Sequence, residues 1–172
     1  MDGLDGLVSG CLLVTLSSLM FYSDINLVPI IASLLGFLIF NWYPAKLFMG
    51  DTGSTFLGLL LFHCTFLSGN LELFIAFALI NTPIFGDASL CILRRYFNGQ
   101  KIFSAHKLHL YQRLYASGWS KSKVSTLYIF STLILSLIYY LLGINYLILG
   151  SFMTIALGIY LDKNHSLPFN LK

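Results

Sequence analysis

The stretch VSTLYIFSTLILSLIYYLLGINYLILGSFMTIALGIYL, residues 124–161, contains no charged side chain. Its one interruption is Gly143-Ile144-Asn145, a turn signal. A bilayer core is crossed by a helix of about 20 apolar residues. The run therefore reads as two transmembrane helices, 124–142 and 146–161, folded back on each other through a tight turn. The fold class that follows is all-α and membrane-embedded, because a helix satisfies its own backbone hydrogen bonds where no water is present.

Outward from this hairpin, four further apolar segments lie at 7–22, 27–42, 54–67 and 71–93. Together they predict a polytopic protein of about six spans. It is one transmembrane domain over residues 1–172, with a loop at 94–123. The 54–67 segment is short, so it is expected to be extended, tilted or partly broken. Pro83 can break the 71–93 helix. Composition agrees with this reading. The chain has 172 residues, of which 57% are hydrophobic and 10% charged, and a mean hydropathy of +0.80. A soluble domain carries about 25% charged residues.

The net charge is only +3, which argues against a nucleic-acid partner. The basic residues cluster instead at Lys46, between Arg94 and Lys123, and at Lys163 and Lys172. The connections after the first, third and fifth spans have none. By the positive-inside rule the basic side is cytoplasmic, which makes the chain a multi-pass protein of the inner (plasma) membrane. Asp24 and Glu72 fall on the opposite side as solvated loop charges. Cys11, Cys64 and Cys91 lie in apolar runs without metal-ligand spacing and read as small packing residues. His63, in mid-span, reads as a packing or helix–helix hydrogen-bonding residue.

Three polar clusters share the basic side. The first, Met1-Asp2-Gly3-Leu4-Asp5-Gly6, sets two carboxylates one helical turn apart beside glycines that admit a close ligand. The plain alternative is an acidic helix start. The second is Asn41-Trp42-Tyr43-Pro44-Ala45-Lys46-Leu47-Phe48-Met49-Gly50-Asp51-Thr52-Gly53-Ser54. A hard carboxylate beside hydroxyls suits Mg²⁺, and the helix start offers N–H groups to an anion. A capped loop with Lys46 reaching to the interface is the alternative. The third is Ala105-His106-Lys107-Leu108-His109-Leu110-Tyr111-Gln112-Arg113-Leu114. Histidines three apart can serve as metal ligands, acid–base groups or phosphate donors, and an arginine four further on can hold a phosphate. An interfacial amphipathic helix is the alternative. Asp87, near the end of its span, is a functional candidate as an intramembrane carboxylate.

In this order the clusters resemble the polyprenyl-phosphate N-acetylhexosamine-1-phosphate transferase family. Met1 to Gly6 match the family pattern Asn-Phe-Met-Asp-Gly-x-Asp-Gly. Asn41 to Ser54 match Asn-x-x-Pro-Ala-Lys-x-Phe-Met-Gly-Asp-x-Gly-Ser in full. The third cluster resembles Ala-His-Arg-Ser-His-x-Tyr-Gln-Arg-Leu of the O-antigen and capsule branch, with Lys107 and Leu108 departing from Arg-Ser. Tyr111 and Gln112 stand where the peptidoglycan and GlcNAc branches carry histidines. The resemblance implies transfer of a hexosamine-1-phosphate from a UDP-N-acetylhexosamine to undecaprenyl phosphate, for lipopolysaccharide or other cell-surface polysaccharide. Its cofactor is Mg²⁺, with Mn²⁺ as a substitute. By resemblance Asp51 ligates the metal, Phe48 stacks on uracil, and Asn41 and Lys46 hold the nucleotide. Asp2 and Asp5 contact the nucleotide and sugar, and His106, His109 and Arg113 contact phosphates or sugar. The chain matches the C-terminal half of the family pattern. An N-terminal half bearing the family's Asp-Asp motif, or a second copy, is therefore the expected partner. An inactive fragment or non-catalytic subunit is the alternative. A six-helix transporter is disfavoured because Asp51, His106 and His109 lie at the membrane edge rather than the midplane.

Overall fold

The computed structural model describes residues 4–23, 25–67, 69–101, 104 and 106–169. Among them are eight helices and no strand: α1 Leu7–Leu19, α2 Val28–Asn41, α3 Gly50–Leu67, α4 Leu71–Ile80, α5 Thr82–Phe97, α6 Leu110–Ala116, α7 Lys121–Leu142 and α8 Ile144–Asn164. The all-α class stands. The opening hairpin is tighter than its sequence suggests, because Gly143 alone forms the turn. It ends α7 and starts α8 at φ +82°, a backbone region that glycine enters without a Cβ clash.

The span count differs from expectation. Among the described residues, only α7 and α8, of 22 and 21 residues, are individually long and apolar enough to cross a membrane. A third span results if α4 and α5 count as one. The expected 71–93 helix is bent by 74° between these two pieces. Pro83 lies in the first turn of α5 and has no N–H for the carbonyl of Leu79. That carbonyl accepts from Thr82 Oγ1 at 2.5 Å, while Ser151 Oγ of α8, 3.4 Å from it, donates at 2.9 Å to Leu147 O. Asn81, at the break, donates from Nδ2 to Phe77 O and accepts from Thr15 Oγ1 of α1. The segments at 7–22 and 27–42 hold helices of 13 and 14 residues, shorter than a usual span.

The buried α1 organises the bundle. Leu7, Cys11, Leu16 and Leu19 have no exposed surface. α1 lies along α7 at Gly10, where a Cβ would sit 2.2 Å from Ile129 Cδ1. The outer surface is apolar, with Ile39, Phe56, Phe66, Leu141, Phe152 and Met153 exposed, as suits contact with acyl chains. His63 is exposed on α3 rather than packed between helices, contrary to expectation.

Candidate active site

Asn41, the last residue of α2, joins the first two clusters. Its Oδ1 accepts from Gly6 N at 3.1 Å and Ser9 Oγ at 2.7 Å, and its Nδ2 donates to Leu47 O at 2.9 Å. Gly6 is required for this clamp. Its φ is +73°, and a Cβ would lie 2.7 Å from Trp42 Cε3. Asp5 adds a second tie: its carboxylate accepts from Ala45 N at 3.2 Å and from Lys121 Nζ at 3.0 Å. Ser125 Oγ closes the same corner by donating to Asp5 O at 2.7 Å. A residue only 7% exposed, with its oxygens so engaged, holds the site together. Asp2 lies outside the described residues.

The segment after α2 projects from this clamp. Lys46 N and Leu47 N both donate to Phe40 O, reversing the chain at the end of α2. Lys46 and Asp51 are exposed, and Phe48 has 72% of its surface free. α3 begins at Gly50, earlier than the expected start at residue 54, so Asp51 sits within the first helical turn. There its charge meets the positive end of the helix dipole. The exposed Asp51 carboxylate and neighbouring Thr52 hydroxyl are hard oxygen donors, which fit Mg²⁺ with water and phosphate completing its shell.

The third cluster is fastened by Asp87 of α5. Its carboxylate accepts from Leu110 N at 2.8 Å, Tyr111 N at 3.3 Å and Tyr128 OH at 2.8 Å. A carboxylate from another helix thus caps the start of α6. Gln112 Oε1 accepts from His109 N, completing the turn. His109 Nδ1 lies 3.7 Å from Asp87 Oδ1, an ion-pair separation too long for a hydrogen bond. Burial disfavours the charged His109 ring, but Asp87 and the Cys91 thiol outweigh it and hold the pKa at about 9. His106 moves the other way, lowered by burial and then by the positive charges of Arg95 and His109.

Arg113 is turned inward. It is 6% exposed, and its fork donates to Leu108 O, Leu167 O and the Asp162 carboxylate, which also pairs with Arg94. The ring of Phe169 lies 5.3 Å from its guanidinium carbon. In this structure the expected phosphate fork fastens α6 to the end of α8. The structure therefore brings Asp5, Asn41 and the Lys46–Asp51 segment together and gathers His106, His109 and Asp87 separately, with Lys121 as the tie from the loop to Asp5. Lys121 and Asp162 were not singled out by sequence, because their partners lie 116 and 49 residues away.

The family model for glycosyl transferase family 4 matches residues 1–69, the part containing the Asn41 clamp. The chain belongs to this family. It is similar to a Bacillus subtilis protein named probable undecaprenyl-phosphate N-acetylglucosaminyl 1-phosphate transferase, with 36% identity over 93% of this chain and 46% of that protein. Proteins named phospho-N-acetylmuramoyl-pentapeptide-transferase are also similar. The one from Carboxydothermus hydrogenoformans is 31% identical over 80% of this chain and 44% of its own length. The one from Kosmotoga olearia is 35% identical over 83% and 45%. The chain thus spans less than half the length of these relatives. No solved structure matches.

Proposed function

We propose that this chain supplies part of the active site of a polyprenyl-phosphate hexosamine-1-phosphate transferase. The reaction moves hexosamine-1-phosphate from a UDP-N-acetylhexosamine to undecaprenyl phosphate. An oxygen of the lipid phosphate bonds to the β-phosphorus as the bond to UMP breaks, so one P–O bond forms for each one lost. The observation that carries this reading is the Asn41 clamp, which presents Lys46, Phe48 and Asp51 outward on one short segment.

Asp51 and Thr52 would hold Mg²⁺, which when bound neutralises pyrophosphate charge. Lys46 adds an exposed cation for the nucleotide phosphates. Phe48 offers a free ring face for the uracil. Asp5 and Asn41 act as positioning residues, since their polar atoms are occupied in holding the segment. His109, charged at neutral pH by its neighbours, suits contact with a phosphate, while the neutral His106 suits a sugar hydroxyl. Arg113 positions this histidine segment by tying α6 to α8. The basic edge supports a cytoplasmic active face on the inner membrane. Tyr111 and Gln112 favour the O-antigen and capsule branch.

The test is release of UMP from UDP-GlcNAc and related UDP-sugars, with undecaprenyl phosphate and Mg²⁺. The chain is assayed together with a family N-terminal half bearing the Asp-Asp motif. UMP release that depends on both the lipid phosphate and residue Asp51 supports the reading. Absence of release with every UDP-sugar in that assembly points to a non-catalytic subunit.

A further inference from the structure

We propose that Cys91, His106 and His109 form a binding site for a thiophilic divalent cation, Zn²⁺ being the best fit. It is separate from the oxygen-donor site at Asp51. Each of the three residues offers one ligand atom, and these atoms all lie within 4.8 Å of one another. Zinc bonds of about 2.0–2.3 Å in a tetrahedron set ligand atoms about 3.3–3.8 Å apart, so side-chain rotations that draw these atoms together by about 1 Å would close the site. One thiolate and two imidazoles select Zn²⁺ over Mg²⁺, which prefers hard oxygen. A fourth position would be left for water.

The surroundings supply what such a site needs. Cys91 is buried and free of any disulfide. His109 Nδ1 is buried without a hydrogen-bond partner and faces Asp87 Oδ1 at 3.7 Å. With its proton on Nδ1 toward that carboxylate, the ring keeps a lone pair on Nε2 for a metal. A carboxylate behind a ligating histidine commonly orients it for zinc, and a small movement of the ring would bring the 3.7 Å separation within hydrogen-bond range. Asp87 is itself fixed by Leu110 N, Tyr111 N and Tyr128 OH. The nearby cation Arg95 is engaged by Gln100, Lys101 and Ser104. Binding would release the Cys91 thiol proton and any proton on the ligating imidazole nitrogens to solvent. The product would be a loop pinned to α5, a state that excludes the phosphate and sugar contacts given to His109 and His106 in the transferase reading, so the metal-bound form is a closed one.

The site goes beyond the transferase reading, and its test needs no turnover. The purified 172-residue chain in detergent is titrated with Zn²⁺ against a competing chromogenic chelator, in excess Mg²⁺. Co²⁺ is then used as a spectroscopic probe. We expect one zinc per chain, undisplaced by Mg²⁺, and a thiolate-to-cobalt absorption band. Cys91→Ser should abolish the band, and both Cys91→Ser and His106→Ala should weaken zinc by at least about tenfold. His106 is itself only half-buried, so its variant keeps the test valid should Cys91→Ser fail to fold. Three results overturn the proposal: no zinc retained by the wild type, no thiolate band with cobalt, or unchanged zinc affinity in His106→Ala.

Discussion

Asn41 and Asp51 illustrate two different uses of a polar side chain in the same motif. Asn41 is buried and makes three hydrogen bonds, so its removal leaves Gly6 N, Ser9 Oγ and Leu47 O unpaired. A buried group left unsatisfied costs about 1–3 kcal/mol. Asn41→Ala is therefore expected to destabilise the chain by at least that amount, read as a lower midpoint for denaturant unfolding in mild detergent. Asp51 is exposed on the first turn of α3 and supports little structure. Asp51→Asn should leave the unfolding midpoint nearly unchanged. In the complete transferase it should lower Mg²⁺-dependent turnover by about 10²-fold or more, the scale of several kcal/mol of charge stabilisation. Normal turnover with unchanged Mg²⁺ dependence would remove Asp51 from the metal site. The motif was legible in sequence as a whole. The division of labour within it was not, because exposure and hydrogen bonding depend on how α1 meets α2.

At the scale of elements, the contact of α1 with α7 and the break between α4 and α5 carry the fold. Gly10 admits Ile129, and a methyl group there would approach its Cδ1 to 2.2 Å. The tip of Ile129 can rotate away from alanine but not readily from a larger residue. Gly10→Leu is expected to cost about 1–3 kcal/mol or to prevent packing of the pair, whereas Gly10→Ala should cost less. Equal stability of both variants in detergent unfolding would show that the helices separate freely. The break has its own dependence on Asn81, which bonds both Phe77 O and Thr15 Oγ1. Asn81→Leu should destabilise the chain by about 1–3 kcal/mol. A matching Thr15→Val change should cost much less in that background than alone, a coupling that a double-mutant cycle measures. Sequence pointed to a possible break through Pro83. It did not indicate the 74° bend, at which Thr82 Oγ1 takes up the freed carbonyl and Asn81 ties the break to α1.

For the whole molecule, the orientation expected from the positions of the basic residues can be measured. Cysteines placed at Asn70 and Asn145 should react with an impermeant thiol reagent from outside intact cells. Those at Gln100 and Asn164 should react only after the membrane is opened. Labelling of Gln100 from outside would reverse the assignment. The chain spans 46% of the Bacillus subtilis relative, so activity is expected to be a property of a larger assembly. The 172-residue polypeptide by itself should insert, since each helix satisfies its own backbone in lipid, yet show no UMP release. Positioning of reacting groups can supply about 7–11 kcal/mol of barrier reduction, and part of a constellation forfeits much of it. Robust turnover by this polypeptide alone would show that its own residues suffice.

The amino-acid sequence determined the helical, membrane-embedded character of this protein, because hydropathy and turn chemistry act over a few residues and can be read locally. It also marked Asn41 to Ser54, where a dense run of specific residue types serves one short segment. Tertiary structure alone decided that Asp5 is tied to Lys121 and Arg113 to Asp162, pairs separated by 116 and 49 residues. It also set Cys91, which the sequence marks only as a small packing residue without metal-ligand spacing, with its ligand atom within 4.8 Å of those of His106 and His109. No local period relates such positions. They meet because α1 lies against α7, Pro83 redirects α5, and Asp87 anchors the start of α6. Only the packed bundle fixes those distances.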